Sequence, residues 1–297
     1  MFLSIITPTY NRAYTLPVLY KSLCMQTDKD FEWIVVDDGS TDNTRDIIQS
    51  WIDEKILDIH YYYKTNGGEQ SASNLGISKS SGLFMLKVDS DDRLIENALE
   101  RIKFYSQSDM WNKNKDKLCG IVFLDLDPNG NVIGNRFDKD LFIGNHIKDR
   151  INKNIVGDKA EVCLTNLVKQ VPDAIFPGEK YGGCGSRWIR LAKKYDMIFV
   201  NEGIYIADYQ EDGYTKKGIK TTDYPLTFEY YANLHLTKEF KHKIRIKQAI
   251  LYISLGLYVK KRWSDIISSS NAPILVCILF IPGYMSYLKK QLKDNRD

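Results

Sequence analysis

What the chain lacks narrows its chemistry first. Its five cysteines, Cys24, Cys119, Cys163, Cys184 and Cys277, form no Cys-x-x-Cys pair, and its four histidines are equally dispersed. That argues against a zinc centre and a disulfide framework, and it fits a reducing cytosol. There is no G-x-G-x-x-G, which counts against a dinucleotide dehydrogenase, and no G-x-x-x-x-G-K-[ST], which counts against a P-loop NTPase. No apolar run reaches the roughly 20 residues of a spanning helix. No basic segment precedes Phe2-Leu3-Ser4-Ile5-Ile6, which reads as a first strand and not as a signal peptide. Internal repeats, low-complexity segments and a clear linker are missing as well.

What is present is an alternation. Short apolar runs at residues 2–7, 31–36 and 58–63, and another beginning at Phe84, read as strands. Between them lie helical segments at 15–26, with Thr15 as cap and Pro17 in the first turn, from a turn cluster at 37–42 through Ile52, and at 69–79. This order predicts a doubly wound α/β sheet. Further on, the pattern predicts helices over 94–106, 158–169 and 185–195, strands over 119–125 and 197–207, and loops and hairpins over 127–159. From residue 222 the chain turns helical. The expected organisation is an α/β domain over 1–221 and a helical extension over 222–297.

The stretch Phe84-Met85-Leu86-Lys87-Val88-Asp89-Ser90-Asp91-Asp92 carries the chemistry. An apolar strand ends on three carboxylates within four residues. Burying such like charge is costly without a compensating cation. At the C-terminal end of a strand, two or three carboxylates can share Mg²⁺ or Mn²⁺ with substrate phosphates. One Asp would serve as a helix cap, and three exceed that need. The other two strand-end clusters, Thr7-Pro8-Thr9-Tyr10-Asn11-Arg12 and Asp37-Asp38-Gly39-Ser40, would line the same crevice. There Tyr10 can stack on a base and Asp38 can accept a base N–H.

Charge is unevenly placed. Residues 234–297 hold 12 Lys/Arg against 4 Asp/Glu, so a basic tail of net +8 follows a body of net −5. The tail's two apolar runs, 249–259 and 272–281, are flanked by Lys and Arg. Such runs fit either helices lying on an anionic membrane surface or helices closing the core. The stacking motifs of known nucleic-acid modules are absent, so nucleic acid is not an expected partner.

These motifs, together with Trp33-Ile34-Val35-Val36, Asn66-Gly67-Gly68 and Ala72-Ser73-Asn74-Leu75-Gly76-Ile77, resemble family 2 glycosyltransferases of the GT-A fold in content and order. The likeness is close over 1–105. A second block, from Gly157 through Tyr205, is similar to a bacterial branch that builds surface polysaccharide of the O-antigen or capsule type. The resemblance implies a Rossmann-like, mainly parallel sheet flanked by helices. It implies an inverting, metal-dependent transferase that moves a hexose or N-acetylhexosamine from a UDP-sugar to a lipid-linked saccharide of the undecaprenyl-diphosphate type. Such an enzyme would sit peripherally on the cytoplasmic face of the inner membrane. It further implies that Thr7, Pro8, Tyr10, Asn11, Asp38, Asn66, Gly67, Asn74 and Asp89 hold the nucleotide-sugar, and that Asp91, with Asp89, binds the metal. The family's catalytic base is a carboxylate before the helix that contains Trp188. Cys184 stands at that position here, which leaves Glu179, Asp173 or the Cys184 thiolate itself as candidates for the base, with Glu179 preferred. The missing carboxylate equally allows a nucleotide-sugar binding protein without catalysis.

Overall fold

In β1 (Leu3–Thr9) and β2 (Phe31–Asp37) every residue is buried, and the pleat sends alternate side chains to opposite faces. Leu3, Ile5, Trp33 and Val35 meet α1 (Leu16–Cys24) and α2 (Thr44–Glu54) in one core. Ile6, Ile34 and Val36 meet α3 (Glu69–Lys79) in the other. The chain is seen in a computed structural model that describes residues 1–182, 185–210, 213, 216 and 218–294.

The described residues form a nine-stranded sheet. Its parallel half runs β3 (Ile59–Tyr63), β2, β1, β4 (Phe84–Lys87). It continues through β8 (Lys159–Leu164), β6 (Leu118–Leu126) and β9 (Asp196–Ile206) to a two-residue edge, β5 (Arg93–Leu94), while β7 (Phe142–Gly144) also pairs with β9. Strand β8 is antiparallel to both β4 and β6, which makes β4 and β6 parallel to each other. The ends of β1, β2, β4, β6 and β9 and the start of β8 therefore share one edge. The chain order reverses direction across the sheet at β1, and open α/β sheets bind ligands outside such a point.

Several local readings change. Pro8 does not end β1; it pairs with Val36. Its missing N–H faces the β4 side beyond the last β4 pairing, at Lys87, so no ladder bond is lost. Thr15 occupies the cap position of α1 but makes no capping bond; its hydroxyl donates to the Arg12 carbonyl. The helix expected from Leu94 begins at α4 (Ala98–Ser106), followed by α5 (Asp109–Asn114), because residues 93–94 are drawn into pairing with Tyr205 and Ile206. The helix expected over 158–169 is β8 followed by one turn, α6 (Thr165–Val168). Ala160 and Val162 enter one core and Cys163 the other, so a strand covered on both faces shows no polar stripe of either period.

After α7 (Ser186–Ala192) and β9, the chain ends in α8 (Pro225–Leu234), α9 (His242–Tyr258), α10 (Trp263–Ser268), α11 (Pro273–Ile278) and α12 (Phe280–Asp294). Ala232, Leu236, Ala249, Tyr252, Ile253, Ile266 and Val276 form a core of their own. A second cluster, Ile147, Ile189, Leu234 and Phe240, ties these helices to a π-helical turn (His146–Ile151) and α7. The apolar run 249–259 thus largely closes this core. The other run divides: Val276 joins this core and Ala272, Leu275, Leu279 and Phe280 pack against it, whereas Ile274, Ile278 and Ile281 are 78%, 71% and 73% exposed, and Met285, Leu288 and Leu292 extend the stripe along α12.

Candidate active site

The shared sheet edge opens into a cleft of about 750 Å³, a size typical of small-molecule sites. On the β1–β2 side, Tyr10 stands in the cleft 48% exposed, with its ring available for stacking. Asp38 also lines it, but its carboxylate is engaged: Oδ1 accepts from Lys64 Nζ (2.6 Å) and Gly67 N (2.9 Å), and Oδ2 from Gly68 N (2.7 Å). Its visible work is to pin the 64–68 loop against β2. Pro8 and Asn66 line the cleft as well. Gly67 takes part through its backbone bond to Asp38 and is not a lining residue.

Three of the expected nucleotide contacts sit behind the cleft wall instead. Thr7 is fully buried and accepts from Trp33 Nε1 at 2.9 Å. Asn11, with φ of 52°, bonds Thr41 N through its Oδ1 and Ser40 Oγ through its N–H, joining the ends of β1 and β2. Asn74 clamps residue 173 to α3: its Nδ2 donates to Asp173 O, and its Oδ1 accepts from Asp173 N and Arg187 Nη2. None of the three lines the cleft.

The acidic cluster divides. Asp92 is buried and accepts from Tyr205 Oη (2.5 Å) and Asp208 N (2.8 Å), tying the end of β4 to the end of β9. Burial, and then the charge of Asp89, push its carboxyl up to about 8. All three line the cleft, the Asp92 carboxylate being buried and already bonded, and Asp89 pairs with Lys87 at 2.8 Å. Among the described residues no group of three or more His, Cys, Asp or Glu forms a metal cage. Two carboxylates with only oxygen donors nevertheless fit a hard divalent cation whose shell is completed by water and ligand phosphates.

The opposite wall was missed in the sequence. Asp125 ends β6, Lys159 begins β8, and Glu161, Arg150, His146, Tyr205 and Tyr209 join them around the cleft. Arg150 pairs with Glu161, Tyr209 donates to Asp158 at 2.9 Å, and Lys159 Nζ is surrounded by the carbonyls of Ile133, Val156, Gly157 and Asp158. Reading 158–169 as a helix hid this wall; the clustering of Asp158, Lys159 and Glu161 was the available signal.

Ten buried side-chain polar atoms lack a partner among the described residues, and six belong to residues lining this cleft: Thr9 Oγ1, Asn66 Oδ1, Ser73 Oγ, Asp125 Oδ1, His146 Nδ1 and Arg187 Nε. Native interiors leave few such atoms, so their concentration here marks a site shaped for a polar ligand.

For the base, the structure does not bring Glu179 to the cleft. Its Oε1 and Oε2 accept from Leu226 N (2.7 Å) and Thr227 N (2.8 Å), capping α8, and it is not a lining residue. Asp173 does line the cleft, with Arg187 at 2.7 Å and the Ser186 hydroxyl on its carboxylate. Cys184 lies outside the described residues.

The model of "Glycosyl transferase family 2" matches residues 4–109. Glycosyltransferase GlyG of Streptococcus pneumoniae is 34% identical over 217 residues, 69% of each chain. The chain belongs to glycosyltransferase family 2. A GalNAc(5)-diNAcBac-PP-undecaprenol beta-1,3-glucosyltransferase of Campylobacter jejuni is 25% identical over 95% of this chain and 94% of its own. Three rickettsial glycosyltransferases of uncharacterised activity match at 36–41% identity, and the chain spans only 15–17% of their length. Among solved structures, TarS of S. aureus residues 1–349 with UDP-GlcNAc superposes with a TM-score of 0.65 at 20% identity, covering 99% of this chain and 92% of that one. The architecture is the GT-A fold of these family 2 enzymes.

Proposed function

We propose that this family 2 enzyme transfers a hexose or N-acetylhexosamine from a UDP-sugar to a lipid-linked saccharide, with inversion, in the assembly of a bacterial surface polysaccharide. The observation that carries the reading is one cleft lined by the exposed Tyr10 ring, the Asp89–Asp91 pair and six residues that each carry a buried polar atom with no partner among the described residues. The TarS complex with UDP-GlcNAc supports a UDP-sugar donor, and the Campylobacter relative supports an acceptor on undecaprenyl diphosphate.

In this reading Tyr10 stacks on the uracil, and Pro8 and Asn66 bound its pocket. Asp91 and Asp89 would hold Mg²⁺ or Mn²⁺, which supplies charge neutralisation for the leaving diphosphate. An acceptor hydroxyl attacks the anomeric carbon from the face opposite the diphosphate. The new C–O bond forms as the bond to phosphate breaks, and the hydroxyl proton passes to a base. Of the carboxylates weighed for that role, Asp173 is the one that lines the cleft.

No helix of the described residues is long and apolar enough to cross a membrane. The exposed stripe of Ile274, Ile278, Ile281, Met285, Leu288 and Leu292, beside Lys289 and Lys290, supports peripheral binding to an anionic membrane, at its cytoplasmic face. The test is a donor screen with purified protein, Mn²⁺ and a saccharide–diphosphate–lipid mimic. Transfer by the wild type and its loss in Asp91→Ala are expected. UDP binding without turnover on any donor would instead favour a nucleotide-sugar binding protein.

A further inference from the structure

We infer that the Asp125 carboxyl hydrogen-bonds a hydroxyl of the donor's sugar and selects among sugars that differ at that hydroxyl. The inference rests on the reading of the cleft as a nucleotide-sugar site.

Asp125 is 4% exposed, lines the cleft, and has no partner for Oδ1 among the described residues. Burying an unsatisfied carboxyl is costly, and an apolar residue would fill the same position without that penalty. The neighbouring donors are committed elsewhere. Lys159, paired across the sheet with the preceding residue Leu124, directs its ammonium to four backbone carbonyls. Arg150 is held by Glu161, Tyr205 donates to Asp92, and Tyr209 donates to Asp158. Oδ1 thus has no donor among the described residues, and the residue that carries it lines the cleft. Burial, and then the charges of Glu161 and Asp158, raise the Asp125 carboxyl to about 8. At neutral pH it is therefore a carboxylic acid that both donates and accepts, as a sugar hydroxyl does.

Its place along the sheet edge indicates which part of the donor it meets. Tyr10 follows β1 and the acidic pair follows β4, while Asp125 ends β6, two strands beyond β4. At the usual strand spacing that is roughly 10 Å further along the edge. Base, diphosphate and sugar would thus fall in order over β1, β4 and β8–β6. Asp125 lies outside the segment, residues 4–109, that the family model matches.

The experiment is titration calorimetry of the full chain with Mn²⁺, using UDP and then UDP-glucose, UDP-galactose, UDP-GlcNAc and UDP-GalNAc. Wild type is compared with Asp125→Asn, which keeps the shape, and Asp125→Leu. Expected is at least tenfold discrimination between the best and worst sugar in the wild type. That ratio should shrink at least fivefold in Asp125→Leu and shift in Asp125→Asn, with UDP affinity within twofold of wild type in both. An unchanged ratio in both variants, equal losses for UDP and every sugar, or a wild type that binds UDP without discriminating would each overturn the inference. A wild type that binds no UDP would overturn the nucleotide-sugar reading itself, an outcome distinct from these.

Discussion

Replacing Glu179 by alanine separates a structural carboxylate from a catalytic one. The two bonds from Leu226 N and Thr227 N, at 2.7 and 2.8 Å, serve the first turn of α8, where backbone donors have no intrahelical partners. Loss of a side-chain cap costs about 1 kcal/mol, and loss of an anion at the positive end of the helix dipole adds about 0.3–1 kcal/mol. A small gain opposes this, because the Glu179 charge is the last of the influences on the buried Glu229 carboxyl, after burial and Lys261. The net expectation is a loss of about 1–2 kcal/mol. At this chain length that is about 2–4 °C in Tm. Glu179→Gln, which keeps one acceptor oxygen, should recover part of it. Differential scanning fluorimetry reads the stability, and UDP release under saturating donor reads the chemistry, with kcat expected within threefold of wild type. A fall of a hundredfold in kcat with Tm unchanged would refute the capping assignment and return Glu179 to the role of base.

Other outcomes follow from the same geometry. Asp91→Ala should lower metal-stimulated transfer at least a hundredfold with Tm within about 2 °C of wild type, and retention of near wild-type turnover in Mn²⁺ would remove the metal assignment. Gly68 has φ of 90°, and an added Cβ would lie 1.9 Å from the Lys180 carbonyl oxygen. Gly68→Ala should therefore part α3 from the 180–182 segment, lowering Tm by several degrees and weakening UDP binding. Asp125, raised by burial to about 8 from the ordinary aspartate value of 3.8, stays protonated in the folded chain over a range where the unfolded chain has released its proton. Its contribution to stability is complete below pH 4 and is lost as pH rises through 8. The Tm of wild type relative to Asp125→Asn should accordingly fall between pH 5 and pH 9, and a constant difference would contradict the shift. Finally, Ile278→Glu combined with Ile281→Glu should abolish flotation with anionic liposomes, and equal flotation of variant and wild type would exclude the stripe as the contact.

The nucleotide half was legible because each element there shows one physical pattern. Trp33 to Val36 form an unbroken apolar run, α3 has the bounds its composition predicts, and the acidic cluster ends a strand. The other half was less legible for an equally specific reason. Lys159 to Leu164 mixes charge with apolar residues, and only the sheet on both sides makes it a strand; the ions it buries are satisfied by Arg150 on Glu161 and by the carbonyls of Ile133 and of the preceding loop on Lys159, neither of which the strand's own pattern shows. Likewise, Asp92 looked equivalent to Asp89 and Asp91 until Tyr205 and the Asp208 N–H, more than 110 positions later, drew it inward. Asn74 and Thr7 matched the family motif in identity, yet their bonds are internal. A motif states which residues occur together, and packing decides which of them face a ligand.

The reversed strand β8 has a consequence for how such a chain can diversify. A parallel sheet normally brings each new strand to the ligand edge through a crossover from the far side. Here β6 leaves that edge at Leu126 and β8 starts from it at Lys159, so the whole excursion 127–158 begins and ends beside the Asp125–Lys159 wall of the cleft. Lengthening or reshaping that excursion would remodel one side of the cleft while β1, β2 and β4 keep their register. The two sides of the cleft can then drift apart as separate heritable traits within one continuous sheet.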